Sequence, residues 1–77
     1  MKKKYSCFDV VKLIAKCINI NPENINLKSK SDDFDSWDSV NHIRIILKIE
    51  KIKKKKINTN LALKLNSVKK IIKYLNK

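Results

Sequence analysis

Glycine is absent from this chain of 77 residues, and proline occurs once, at Pro22. Without glycine there is no glycine-rich loop to wrap a phosphate, and tight β-hairpin turns lose their usual residue. Histidine occurs once and cysteine twice, with no Cys-x-x-Cys pair, so the ligands for a zinc site are missing. Cys7 and Cys17 fall on one expected helix. At about 100° per residue they point to different faces, and a rigid helix cannot join them. They read as buried reduced thiols of a cytoplasmic protein. Long apolar runs are missing too. Met1-Lys2-Lys3-Lys4 imitates the basic end of a secretory signal, and Ile14-Ala15-Lys16-Cys17 faintly resembles a lipoprotein cleavage site. Asp9, Lys12 and Lys16 interrupt the apolar stretch that either needs, so the expectation is a cytoplasmic protein with no membrane insertion.

Acid is scarce: 7 Asp and Glu face 19 Lys and Arg, a formal net charge of +12. One explanation is a surface for nucleic acid or anionic lipid. The other is composition, because Lys, Asn and Ile share A/T-rich codons and make up about half the chain. The cations are lysine but for Arg44, whereas groove and phosphate readers lean on arginine for bidentate contacts. Composition is therefore the favoured explanation, and nucleic acid is not an expected partner. A small basic helical protein binding nucleic acid or anionic membrane stays as the alternative function.

What is present reads as helix. A chain of this length makes one domain, residues 1–77, and the expected fold is all-α, a small four-helix bundle with a short third helix. Ser6-Cys7-Phe8-Asp9 fits a capping box, and Phe8, Val11, Ile14, Ala15 and Ile18 recur at helical spacing, giving a first helix over about 6–19. Pro22 closes it, and a polar loop follows in which Ile25 and Leu27 are expected to reach the core. Ile43, Ile45, Leu47 and Ile49 alternate with polar residues as in a strand. However, Asn41, Arg44, Lys48, Lys51 and Lys55 fall within roughly 80° on a helical wheel, which makes 39–53 a helix with one wet stripe. Lys53 to Lys56 is a solvated helix end. Leu61, Ala62 and Leu65 mark a short helix over 59–65, and Val68, Ile71, Ile72 and Leu75 a last one over 67–76.

The acid that exists is concentrated. Asp32, Asp33, Asp35 and Asp38 lead into Ser39, at the start of the second helix. Asp, Ser and Asn begin helices because their side chains accept from unpaired first-turn amides. That places the Ser39 hydroxyl at the positive end of a helix dipole, which suits a phosphate ester.

Asp38-Ser39-Val40 resembles the Asp-Ser-Leu signature of acyl and peptidyl carrier proteins. The longer Trp37-Asp38-Ser39-Val40-Asn41-His42-Ile43 is similar to the Trp-Asp-Ser variant of some stand-alone carriers, and Ile20-x-x-Glu23-x-Ile25 after an apolar first helix fits the same family. The resemblance implies an acyl-carrier-protein-like bundle, with Ser39 as the attachment point for 4′-phosphopantetheine and Asp38 helping a phosphopantetheinyl transferase engage. Such a chain is not itself an enzyme. It is a monomer that carries an acyl or aminoacyl thioester from a loading ligase to a downstream transferase or synthase, in fatty acid or specialised metabolite biosynthesis. It also implies that the side of the second helix bearing Val40, Ile43, Arg44 and Leu47 meets partner enzymes. Val40 is read as a partner contact; Ile43 and Leu47 fit a partner strip or a broad core equally well. Familiar carriers have an acidic second helix, whereas this one bears Arg44, Lys48 and Lys51, with Glu50 its lone carboxylate. Trp37 reads as a packing anchor. Ser39 and His42, as nucleophile and base, lack an oxyanion-hole glycine and a pocket, and His42 is expected to be exposed or half-packed.

Overall fold

The computed structural model describes residues 4–77, so the basic start at Met1, Lys2 and Lys3 lies outside the described residues. Four α-helices follow one another: α1 Cys7–Ile18, α2 Ser39–Lys53, α3 Thr59–Lys64 and α4 Val68–Leu75. Short 3-10 turns at Pro22–Asn24 and Ser31–Asp33 lie in the long α1–α2 connection. Among the described residues there is no strand, only an isolated bridge between Lys30 and Ser67. Its radius of gyration, 11.4 Å over Cα atoms, is what a chain of this length packs to.

Each helix starts on a polar cap. Ser6 Oγ accepts from the Asp9 amide at 3.2 Å while Asp9 Oδ2 accepts from the Ser6 amide at 3.1 Å, a reciprocal box that satisfies two otherwise unpaired donors. Asp38, Asn58 and Ser67 cap α2, α3 and α4 one way only, accepting from the Asn41, Leu61 and Lys70 amides. Helix ends show the cost of having no glycine. Asn19 closes α1 at φ 58° and Lys54 closes α2 at φ 53°, both left-handed. A Cβ in that region is destabilising by roughly 1 kcal/mol, and asparagine tolerates it better than lysine. Lys54→Gly is therefore expected to raise stability by about 0.5–1 kcal/mol, read as a higher urea midpoint, and Asn19→Gly to raise it less.

The core is built by α1, α2 and α4. Val10, Ile14 and Ile18 of α1, Ile45 and Ile49 of α2, and Val68 and Ile71 of α4 are its most deeply buried side chains. Phe8 departs from expectation. It is 65% exposed, because the buried arc of α1 is turned toward Val10 and Cys17, leaving Phe8 at its edge beside Lys12, whose Nζ lies 5.1 Å from the ring centre. Leu27 is exposed as well, and it is Ile25 that plugs the loop into the core. The loop is tied down instead through backbone, with Ser31 donating to Asn66 O at 2.9 Å and Val68 donating to Ser29 O at 3.1 Å. Asn41, expected on the wet stripe, is half-buried because its amide reaches back to Ser36 O at 2.7 Å.

Both cysteines are free thiols; Cys17 is buried, but Cys7, in the first turn of α1, is only half-buried. Burial pushes the Cys17 thiol above its ordinary value of 9.0, against the lowering pull of Lys48 and Arg44. The folded chain then holds this proton longer than the unfolded chain does. Stability from this source is complete below pH 9.0 and falls as the pH rises above it. Cys17→Val is expected to flatten that alkaline fall, and native-state alkylation with iodoacetamide should label Cys7 and spare Cys17 until the chain unfolds.

Candidate functional site

The site is assembled where the acidic loop turns into α2. Trp37 is the pivot: its indole is buried in the core, so the backbone around it has little freedom. The next residue, Asp38, stands at the N-cap and accepts from the Asn41 amide at 2.9 Å, while Asn41 Nδ2 holds Ser36 O. Two side chains thus sew the loop to the first turn from both directions. Ser39 follows as the first residue of α2 and is exposed. No described residue hydrogen-bonds its hydroxyl, which stands at the positive end of the α2 dipole.

His42 is half-buried one turn further on. Trp37 donates Nε1–H to His42 Nδ1 at 2.9 Å, which makes Nδ1 the acceptor; Nε2 then carries the proton and donates to Ala62 O at 2.7 Å. The imidazole lies 6.2 Å from the indole, stacked at 28°. Both ring nitrogens are therefore committed away from Ser39, which leaves no base paired with its hydroxyl. What His42 does is join the loop, α2 and α3. Nothing local in the sequence announces this, because one partner lies five residues before it and the other twenty after.

Beside Ser39 a cleft of about 610 Å³ runs between α2 and α3. Asp38, Ser39 and His42 line it together with Ile43, Ile46 and Leu47 from α2 and Ala62 and Leu63 from α3. The apolar strip expected on α2 is in the open: Val40 is 62%, Ile43 59% and Leu47 55% exposed. Leu63, which sequence reading passed over, is 66% exposed and lines the same cleft as Ile43 and Leu47. Its signal was the Leu61, Leu63, Leu65 alternation in a segment too short for periodicity to choose a face. Glu50 at the cleft's other end accepts from the Ile57 amide at 2.7 Å, fastening the α2–α3 connection. Arg44 is exposed on α2.

Among the described residues no group of three His, Cys, Asp or Glu side chains is placed to hold a metal ion, and no helix is long and apolar enough to cross a membrane. Neither family models nor curated proteins provide a match to this chain.

Proposed function

We propose that this chain is an acyl or aminoacyl carrier whose cargo rides as a thioester on a 4′-phosphopantetheine arm attached to Ser39. The observation that carries the reading is the exposed, unengaged Ser39 hydroxyl at the first position of α2, just after a loop fixed by buried Trp37. The residues present fit the group. Ser39 Oγ would form the ester, the first-turn amides and dipole of α2 would favour the phosphodiester charge, and the neighbouring cleft leaves the modified side chain room to project. When bound, the arm supplies a terminal thiol for thioester exchange. In its attachment by a transferase, the Ser39 Oγ–phosphorus bond forms as the pyrophosphate bond of coenzyme A breaks. Adenosine bisphosphate leaves with the electron pair, and the hydroxyl proton passes to the transferase. Asp38, already capping α2 through Oδ1, keeps its other carboxylate oxygen for the transferase's metal or a basic group.

Incubation with coenzyme A, Mg²⁺ and a broad-specificity transferase is expected to add the mass of one phosphopantetheine, and Ser39→Ala to add none. Modification at another residue, or none under any transferase tried, overturns the reading. The alternative, a small basic helical protein that binds nucleic acid or anionic membrane, draws on lysines 12, 16, 48 and 51, which line one groove between α1 and α2. It predicts affinity that falls steeply as salt rises.

A further inference from the structure

Charge is distributed along α2 with a direction. At its N-terminal end Asp32, Asp33, Asp35 and Asp38 are all exposed. From the second turn onward the sign reverses: Arg44, Lys48 and Lys51 are exposed, and Lys54, Lys55 and Lys56 continue past the helix end. The positive ridge is not confined to one helix. Lys12 and Lys16 of α1 line a groove with Lys48 and Lys51, and Arg44 and Lys48 lie close enough to Cys17 of α1 for their charges to act on its thiol. Leu47, at the end of the exposed apolar strip, shares a second groove with Lys48, Lys51 and Lys54. Apolar strip and cationic ridge are one continuous surface.

We infer that this α1–α2 ridge docks a protein whose surface sets carboxylates against Arg44, Lys48, Lys51, Lys12 and Lys16, and cations against the acidic loop beside Ser39. The inference rests on the carrier reading and names the chemistry of its partner: an acidic docking patch, the reverse of what an acidic second helix requires. The two-signed layout is what favours a protein. A nucleic acid strand or an anionic bilayer presents one sign throughout, and either one laid along α2 meets four carboxylates at the Ser39 end. No aromatic ring lines the grooves for base stacking, the exposed Phe8 beside them has Lys12 over its ring, and arginine, the usual phosphate fork, occurs once. Interfacial insertion needs a wide apolar face, and the widest one on α2, through Ile45, Ile46 and Ile49, is buried in the core.

The test titrates the whole chain, isotopically labelled for amide spectra, with three probes at equal ionic strength. They are a synthetic helical peptide as long as α2 with glutamates over one half and lysines over the other, oligothymidylate, and phosphatidylglycerol vesicles. The peptide is expected to bind most tightly, with shifts centred on Arg44, Lys48, Lys51, Lys12 and Lys16. The Arg44→Glu, Lys48→Glu, Lys51→Glu combination should weaken it about tenfold. The matching glutamine combination, which only removes charge, should fall between. Tighter binding of oligothymidylate or vesicles, no peptide binding, or equal binding by the reversed variant overturns the inference. The carrier reading is judged separately, by mass at Ser39. Peptide docking without modification sinks the carrier and spares the surface; modification without docking does the opposite.

Discussion

Ile49→Ala is expected to lower stability by about 3 kcal/mol and the thermal midpoint by roughly 10–20 °C, whereas Ile43→Ala, on the same helix, shifts stability by less than about 0.5 kcal/mol. The residue type is the same and the environments are opposite. Ile49 is fully buried among α1, α2 and α4, so its truncation loses transfer free energy and leaves a cavity that a small core cannot fill. A domain of this length holds on the order of 4–10 kcal/mol in total, so that single change removes a large share. Ile43 is 59% exposed and gives up little on truncation, while alanine gains slightly in helix propensity. Thermal and urea unfolding followed by circular dichroism decide it. Equal losses at the two positions would mean that the strip of Val40, Ile43 and Leu47 belongs to the core. The contrast also makes Ile43→Ala a clean probe of partner contact, since lost thioester exchange with an intact midpoint cannot be blamed on unfolding.

Much of the architecture was legible because helix starts and faces are local. Ser6 and Asp9 stand three apart, as a reciprocal cap requires, and Asp38 precedes a run whose polar residues share one stripe; both act where they are expected. That stripe outweighed the strand-like alternation of Ile43, Ile45, Leu47 and Ile49, and α2 is a helix. Periodicity fixes the width of an apolar arc better than its centre. For that reason the spacing points Phe8 inward although the arc is turned toward Val10, and points Leu27 inward although, of the two loop residues, only Ile25 reaches the core. At the site, the exposed position of Ser39 followed from capping alone. The cleft beside it did not, because Ala62, Leu63 and the Glu50–Ile57 clamp bring together residues that no short-range pattern connects.

Substituting His42 with leucine is expected to cost about 2–3 kcal/mol, more than its half-buried position on a helix surface suggests. Two groups lose their partner at once. The Trp37 Nε1–H, on an indole only 5% exposed, is left without its acceptor, and Ala62 O loses the donor that holds α3 against α2. An unsatisfied buried donor costs its full desolvation, whereas removing both partners of a bond costs much less. The same His42→Leu change in a Trp37→Phe background should therefore cost about 1 kcal/mol or more less than in the native background. Urea unfolding read by circular dichroism measures all four corners of the cycle without needing the indole. Identical costs in both backgrounds would show that the Trp37–His42 hydrogen bond contributes nothing, and that packing, the Asp38 cap and the Asn41–Ser36 hydrogen bond hold the loop before Ser39 without it. A positive coupling assigns His42 to bracing: through Trp37 it pins the loop before Ser39 to α2, at the edge of the cleft that opens beside the Ser39 hydroxyl.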